Sequence, residues 1–263
     1  MESSLKDRIV LVTGGAAGIG RAVALLAAER GASVAVLDRD AQGALAVGTQ
    51  VVEINHGKAL ALNVDVSNEA AVAKAFSEIE KQLGVPTAVF AGAGIDRGGP
   101  AHELPAETWR RVMNVNLDGV FYTARHAIAL LLKHGLPGSI VCASSPAASV
   151  GFAAGGAEAY SASKGGISSL VRCLAVDYAR YGIRVNAIVP GATETGMMWA
   201  NADAADVPRL RAQIAAEVPA GRLAQPEEPA RAALWLFSDE ASYVTGSHLV
   251  CDGGILAKAS ISF

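Results

Sequence analysis

Ile9-Val10-Leu11-Val12-Thr13-Gly14-Gly15-Ala16-Ala17-Gly18-Ile19-Gly20 is the stretch that decides the fold of this chain. The apolar run predicts a buried strand, and the glycines after it predict a tight turn into a helix. Glycines at 14, 18 and 20 remove side chains where a pyrophosphate would approach backbone N–H groups at the positive end of the helix dipole. The spacing is Gly-x-x-x-Gly-x-Gly rather than the commoner Gly-x-Gly-x-x-Gly. We therefore expect Gly14, Gly18, Ile19 and Gly20 to bind a dinucleotide.

Short β-branched runs continue along the chain and alternate with longer, Ala-rich helical stretches. Because the runs are apolar throughout rather than alternating, they predict parallel strands covered on both faces and joined by right-handed crossovers. The fold class expected is α/β: one doubly wound domain over residues 1–263, with a seven-stranded parallel sheet and helices on both faces. The seven predicted strands are Ile9 to Thr13, Ser33 to Leu37, Ala59 to Val64, Thr87 to Ala91, Ser139 to Ala143, Arg184 to Val189 and His248 to Cys251.

Six helices are predicted between these strands. The least regular stretch, Gly191 to Ala204, follows a strand end and is a candidate lid over a site, in a segment that extends to about residue 215. The predicted helices are Gly18 to Arg30, Ala41 to Asn55, Glu69 to Leu83, Ala106 to Lys133, Tyr160 to Tyr181 and Glu227 to Phe237.

Composition narrows the function classes. Net charge is −3 with dispersed Lys and Arg, so the chain offers no polybasic surface for nucleic acid or acidic lipid. The three cysteines are far apart and the five histidines form no ligand pattern, so we expect no metal site. The sequence has no apolar run of bilayer length and no hydrophobic leader after Met1, and a cytoplasmic protein without membrane contact is expected.

Acidic residues follow two of the predicted strands. Asp38 ends the second strand, where a carboxylate can accept hydrogen bonds from both adenosine ribose hydroxyls and would repel a 2′-phosphate. Arg39 beside it complicates this preference, because an arginine can accommodate such a phosphate. Asp65, after the third strand, is a candidate adenine contact, with helix capping as the alternative. The expected cofactor is NAD.

Tyr160 and Lys164 lie four residues apart and would share one face of a helix. Tyr loses its proton near pH ~10 and Lys near ~10.4, so neither transfers protons near neutrality unless its surroundings shift its pKa. A nearby ammonium would lower the pKa of the phenol, which could then pass a proton to a carbonyl oxygen oriented by Ser144 or Ser145. Taken alone, the pair is more often an ordinary helix pair.

With these residues in place, the sequence resembles the classical short-chain dehydrogenase/reductase family along essentially its whole length. The resemblance implies a Rossmann-like sheet and reversible hydride transfer between nicotinamide and an alcohol or carbonyl. It makes Tyr160 the acid/base, Ser145 the holder of the substrate oxygen, and Lys164 the residue that lowers the Tyr pKa and binds the nicotinamide ribose. The motifs that carry it are Thr13 to Gly20, Asp65-Val66, Asn114-Val115-Asn116-Leu117, the Ser145 region, Tyr160-x-x-x-Lys164, Pro190-Gly191, Thr245-Gly246-Ser247 and Asp252-Gly253-Gly254.

The resemblance also assigns the remaining site residues. Asn116 would hold a water that links Lys164 to solvent, or would serve as a structural residue that bonds the backbone. Met197, Met198 and Trp199 would lie in the substrate lid or pack as ordinary apolar residues. Further cofactor contacts are expected at Asp65, Val66, Gly92, Ala93, Tyr160, Lys164, Pro190, Gly191, Thr193 and Thr195, the last two on the carboxamide.

Two departures from the family pattern stand out. Ala91-Gly92-Ala93-Gly94 replaces the usual Asn-Asn-Ala-Gly, which puts the sheet and cofactor contacts there in question. The stretch from Ser145 to Tyr160 is slightly long, with Gly155-Gly156 as a plausible insertion that leaves Ser145 preferred over Ser144.

The function expected is therefore an NAD-dependent alcohol dehydrogenase or ketone reductase acting on a small-molecule alcohol or ketone. The alternatives are an NADP-dependent ketone reductase and a dinucleotide-binding sensor without turnover. An enoyl reductase of the same family would space its Tyr and Lys more widely, and an epimerase or dehydratase would need a larger C-terminal domain.

A homo-oligomer, most simply a tetramer, is expected from the helix that carries Tyr160. One apolar stripe suits the sheet, and a second stripe of small or apolar residues suits a partner helix or the loop Pro146 to Glu158. The first consists of Ile167, Leu170, Val171, Leu174 and Tyr178, and the second of Ala162, Gly166, Ser169, Cys173 and Val176.

Overall fold

The computed structural model describes residues 5–152, 155–200 and 202–258. Seven parallel strands form one sheet in the order β3-β2-β1-β4-β5-β6-β7. The order reverses between β1 and β4, which creates the crevice at the carboxyl edge where doubly wound folds bind ligands. The strands are β1 Ile9–Thr13, β2 Ser33–Asp38, β3 Ala59–Asn63, β4 Ala88–Ala91, β5 Gly138–Ala143, β6 Ile183–Pro190 and β7 His248–Cys251.

The helices follow the predicted alternation, with three differences. The predicted helix Ala106 to Lys133 is divided by a π-helical segment at Asn114–Asp118. The helix that carries Tyr160 begins two residues earlier than predicted, and two helices begin within the predicted lid segment. The helices are α1 Gly18–Glu29, α2 Ala41–Asn55, α3 Glu69–Gln82, α4 Ala106–Met113, α5 Gly119–His134, α6 Glu158–Tyr178, α7 Gly196–Trp199, α8 Val207–Glu217 and α9 Glu227–Phe237.

Two apolar cores lie on opposite faces of the sheet. On one face, Phe76 of α3, Ile128 of α5 and Ile167 of α6 pack against alternate strand residues. On the other, Val23 of α1, Val47 of α2 and Phe237 of α9 pack against the remaining ones. This double coverage explains why the strand runs are apolar at every position. No helix of the described residues is long and apolar enough to cross a bilayer.

Candidate active site

The glycine-rich turn between β1 and α1 brings three segments together by leaving out side chains. Gly14 has φ +70°, and a Cβ there would lie 2.8 Å from the Cα of Ala93. Gly18 has φ +53°, and its Cβ would lie 3.1 Å from Cγ2 of Thr195. A Cβ on Gly20 would lie 2.1 Å from the carbonyl oxygen of Gly14. The turn is therefore closed to larger residues, and it places the predicted cofactor residues Ala93 and Thr195 beside the N-terminus of α1, which fits a dinucleotide pyrophosphate.

Asp38 is fixed beside this turn. Its carboxylate accepts the backbone N–H of Ala16 at 3.1 Å and that of Asp40 at 2.9 Å. A negative charge therefore stands at the carboxyl end of β2, next to the glycine-rich turn, where the adenosine ribose was predicted.

Asp65 lies near Asp38 because Val64 donates its N–H to the carbonyl of Asp38 at 2.9 Å. Its carboxylate accepts both the N–H and the hydroxyl of Ser67, at 2.9 and 2.7 Å, and these bonds lower its pKa. Helix α3 is capped by Asn68, which accepts from Ala71, so the capping alternative for Asp65 is wrong. Val66 is buried.

The opposite wall of the crevice follows β6. Pro190 pairs with Cys251 of β7, and a Cβ on Gly191 would lie 2.6 Å from the Cα of Asp252. Thr193 is buried and donates its hydroxyl to the carbonyl of Gly191 at 2.9 Å. These contacts hold the Pro190-Gly191 turn against the last strand and direct the chain towards Thr195.

Ser145 and Ser144 point in different directions. The Ser145 hydroxyl lies near enough to the Tyr160 phenol to lower its pKa, and it accepts the N–H of Ala147 at 3.2 Å. The Ser144 hydroxyl instead contacts the carbonyl of Lys164 at 3.4 Å and the Ser168 hydroxyl at 3.0 Å. Of the two serines, Ser145 is therefore the one positioned to share a substrate oxygen with Tyr160.

Lys164 is buried, and its Nζ lies 5.4 Å from the centroid of the Tyr160 ring. The ammonium donates to the carbonyl of Ala143 at 2.7 Å. Burial lowers its pKa to about 8, because the charged form loses its hydration. Part of the Lys164 population is therefore neutral near pH 8, within reach of a working enzyme.

In this structure the pKa of Tyr160 is raised rather than lowered, so the pKa-lowering role expected of Lys164 stays a prediction. Burial raises the pKa of the phenol, the Ser145 hydroxyl lowers it, and the nearby charge of Asp96 raises it. Desolvation is the largest of these influences, because burial removes hydration that stabilises the charged phenolate more than the neutral phenol. Spacing on a helix reveals proximity, but it does not reveal burial.

Asn116 lies in the π-helical segment, and its side chain is occupied by protein groups. Its Oδ1 accepts the N–H of Ile95 at 2.8 Å, and its Nδ2 donates to the carbonyl of Ile95 at 2.9 Å and to the Ser163 hydroxyl at 3.2 Å. Ser163 in turn donates to the carbonyl of Tyr160 at 2.7 Å. These bonds agree with the structural alternative for the side chain, and the water-holding role stays a prediction.

Two polar residues that sequence reasoning missed complete the site. Asp96 follows the Asn116-bound Ile95, and its charge acts on both Tyr160 and Lys164. Although Asp96 is exposed, partial desolvation raises the pKa of its carboxyl group. The signal was its place just beyond the carboxyl end of the fourth strand, where site residues of this fold class collect.

Thr13, the other missed residue, supplies hydrogen bonds where Ala91-Gly92 replaces the asparagine pair of the family pattern. Its hydroxyl accepts the N–H of Gly92 at 3.1 Å and of Ala93 at 3.4 Å, and donates to the carbonyl of Phe90 at 3.4 Å. The end of β4 is thus tied to β1 without an asparagine at position 91 or 92. A Cβ on Gly92 would lie 2.2 Å from the Phe90 ring, so this neighbourhood suits glycine.

The second departure forms a rim beside the site. Gly99 donates its N–H to the carbonyl of Gly156 at 3.0 Å. A Cβ on Gly98 would lie 1.7 Å from that same oxygen. The Gly155-Gly156 insertion therefore closes against the loop that carries Asp96.

Within the described ranges, no group of three or more His, Cys, Asp or Glu side chains is arranged to hold a metal ion.

Comparison with known proteins agrees with this geometry. Residues 14–256 match the model of a family described as "Enoyl-(Acyl carrier protein) reductase". A cis-4-hydroxycyclohexanecarboxylate dehydrogenase from Sinomonas cyclohexanicum is 41% identical over 98% of this chain and 100% of its own length.

Two solved structures extend the comparison. A levodione reductase superposes with a TM-score of 0.92 at 32% identity, covering 97% of this chain and 99% of its own. A protein described as an NAD(P) dependent gluconate 5-dehydrogenase from Beutenbergia cavernae, with NADP bound at low occupancy, gives 0.89 at 36% identity, covering 98% and 100%. The sequence motifs, the sheet order and these relatives lead to one assignment: the chain belongs to the short-chain dehydrogenase/reductase family.

Proposed function

We propose that this protein catalyses reversible hydride transfer between NAD and a secondary alcohol or ketone, with Tyr160 as the acid/base. The observation that carries the proposal is the convergence of three side chains: Ser145 and Lys164 are both buried beside Tyr160, and Lys164 Nζ lies 5.4 Å from the centroid of the phenol ring. These three residues lie at the carboxyl edge of the sheet, across from the glycine-rich turn, and this position supports the proposal further. The family relatives support dinucleotide-dependent oxidoreduction of hydroxy compounds in general.

In the oxidation direction, Tyr160 accepts the proton of the substrate hydroxyl while Ser145 donates a hydrogen bond that orients the same oxygen. The nicotinamide ring, when bound, supplies the hydride acceptor. Lys164 is placed to favour the phenolate by its charge and to carry the proton onward, because its pKa of about 8 lies close to neutrality. In the reduction direction the same hydroxyl of Tyr160 protonates the carbonyl oxygen.

The choice of NAD over NADP rests on Asp38. Its carboxylate is held beside the turn by two N–H groups, and a 2′-phosphate there would meet negative charge. The competing candidate is NADP use, favoured by the exposed Arg39 and by the NADP-bound relative.

Measuring kcat/KM with each cofactor decides between them. We expect NAD to be preferred, and we expect Asp38→Ala to raise the relative efficiency of NADP by about tenfold or more, equivalent to about 1.4 kcal/mol. Arg39→Ala serves as the paired variant. NADP preference in the unmodified protein, lost in Arg39→Ala, would assign control of the ribose site to Arg39.

Enoyl reduction is a further candidate because of the description of the matched family. An enoyl reductase acts on an activated carbon–carbon double bond, whereas the proposed reaction acts on a hydroxyl or carbonyl group. Tyr160 and Lys164, four residues apart on α6, fit the alcohol and ketone enzymes instead. Assay with an enoyl thioester and with a ketone in parallel separates the two, and turnover of the enoyl thioester alone would overturn the proposal.

The substrate we propose is a ring-borne secondary alcohol, as in the Sinomonas relative. A panel of cyclohexanols, open-chain secondary alcohols, sugar acids and steroids, assayed with NAD, tests this class. Binding of NAD without oxidation of any panel member would favour the non-catalytic sensor.

Homo-oligomerisation, as a tetramer, is part of the proposal. Ile167, Val171 and Leu174 of the first stripe are buried in the core, which leaves the second stripe to be explained. Cys173 is exposed and Val176 is 80% exposed, so the described residues of the loop Pro146 to Glu158 leave these two side chains uncovered. Light scattering coupled to size exclusion checks it: a tetramer mass is expected, a dimer would retain only the helix contact, and a monomer at micromolar concentration would exclude the interface.

A further inference from the structure

Glu194 stands between the two threonines that were predicted to contact the carboxamide. Its own backbone is anchored to the body of the protein, because its N–H donates to the carbonyl of Ala224 at 2.9 Å. Ala224 donates in return to the carbonyl of Ala192 at 2.9 Å, and Thr193 forms a parallel bridge with Ala224. The backbone of this segment is therefore held in place independently of the Glu194 side chain.

The Glu194 carboxylate joins both helices of the lid segment. It accepts the indole N–H of Trp199, in α7, at 3.1 Å. It also accepts Nε of Arg211, in α8, at 2.6 Å and Nη2 of the same guanidinium at 3.2 Å. The Arg211 guanidinium lies 5.3 Å from the centroid of the Trp199 ring, which closes a three-membered cluster. A bidentate arginine–carboxylate pair of this kind fixes the orientation of the two side chains as well as the distance between them.

Helix α8 depends on such contacts. None of its eleven residues, all of which the structure describes, is buried. Its apolar side chains Val207, Leu210 and Ile214 are only half-buried, and Glu194 adds a polar connection between α8, α7 and the segment 193–195. Thr195, the next residue, accepts the N–H of Met198 at 3.4 Å and so starts α7.

We propose that Glu194 is a positioning residue that holds α7 and α8 docked over the crevice and thereby slows release of the bound cofactor and substrate. The proposal rests on the proposed function for its kinetic consequence. Lid opening or product release limits turnover in many enzymes, so weakening the Glu194 contacts, here called the latch, should change KM without lowering kcat.

Glu194→Gln removes the charge pair but keeps the size of the side chain and one acceptor for Trp199. We expect KM for NAD to rise by about threefold to tenfold, with kcat unchanged or raised, because the pair is partly exposed and such pairs contribute modestly. Arg211→Ala should match it. Arg211→Lys should restore part of the affinity, since lysine keeps the charge without the two-pronged geometry.

Arg209→Ala is the matched control. Arg209 lies on the same helix but bonds Asp206 and Gln213 rather than Glu194. It should leave KM and kcat at wild-type values. A fall of kcat together with a loss of thermal stability in Glu194→Gln, or equal effects of Arg209→Ala and Arg211→Ala, would overturn the latch in favour of a general structural role.

A second measurement needs no turnover. In a Trp109→Phe, Trp235→Phe background, Trp199 is the single remaining tryptophan, and acrylamide quenching of its fluorescence reports exposure of the lid. Quenching should increase on adding Glu194→Gln and not on adding Arg209→Ala. Unchanged quenching with Glu194→Gln would refute the latch, whereas increased quenching in a protein that oxidises no alcohol would refute only the proposed function.

Discussion

Between β1 and α1 the crevice is bounded by glycine backbone without side chains, whereas between β5 and α6 it is bounded by buried polar side chains. At the first place, Gly14 and Gly20 pack backbone against backbone at distances that a Cβ would violate. At the second, Ser145 and Lys164 are buried and each makes a defined hydrogen bond. Adding an atom to the glycine turn should therefore weaken folding and cofactor binding, whereas removing an atom from the polar residues should weaken catalysis.

The largest effect is expected at the polar end. Tyr160→Phe removes only the hydroxyl that transfers the proton, so turnover should fall by about 10²–10⁴-fold, the usual contribution of general acid/base catalysis. The fold and NAD affinity should remain, as checked by circular dichroism and by NADH fluorescence titration. Steady-state rates within a few-fold of wild type would remove Tyr160 from the mechanism.

The next effect belongs to the glycine end. Gly20→Ala places a methyl group 2.1 Å from a backbone oxygen, which must move. We expect a loss of about 1–3 kcal/mol in the free energy of unfolding, as for overpacked sites, and clearly weaker NADH binding.

Gly165→Ala is the matched control in another helix, because a Cβ there meets nothing within 4 Å. It should leave NADH binding unchanged and stabilise the protein slightly, since alanine favours a helix over glycine. Equal NADH affinity in Gly20→Ala and wild type would show that the turn tolerates added atoms.

The smallest effect concerns charge rather than shape. Asp96 raises the pKa values of both Tyr160 and Lys164, because a negative neighbour opposes the phenolate and favours the ammonium. Asp96→Asn should therefore move the rising limb of the pH profile of kcat/KM for alcohol oxidation to lower pH. A limb that stays in place, or moves to higher pH, would mean that Asp96 does not act on the proton-transfer groups.

The regular part of the fold was predictable because its signals are local. Apolar runs identified all seven strands to within one residue at each end, since a sheet covered on both faces demands apolar residues throughout. Helix α8 was missed because its apolar stripe, Val207, Leu210 and Ile214, is short and none of these side chains is buried. The π-helical segment was missed because one extra residue in a turn leaves the surrounding pattern intact.

The sequence predicted that Tyr160 and Lys164 lie close together, but it did not predict the part played by Asp96 or Thr13, or the electrostatics of the candidate site. Motif spacing identified Tyr160, Lys164 and Asn116, and the structure gathers them around one edge of the sheet. The direction of the Tyr160 pKa depends on how much water the phenol loses and on Asp96, which approaches from a separate loop. Both depend on contacts between distant segments, which spacing along one helix does not contain.

The Asn116 side chain has a consequence for protein engineering. Through Ile95 and Ser163 it fastens the loop after β4 to the helix that bears Tyr160. Ile95 is therefore a natural splice point. Loop sequences from related enzymes exchanged downstream of it, up to the start of α4 at Ala106, would replace Asp96 and the Gly99 contact with Gly156, while the hydrogen bonds of the Tyr160 carbonyl and of Lys164 Nζ would remain. Both bonds between Asn116 and Ile95 use the backbone of residue 95, so an exchanged loop keeps this connection when its backbone follows the same path there.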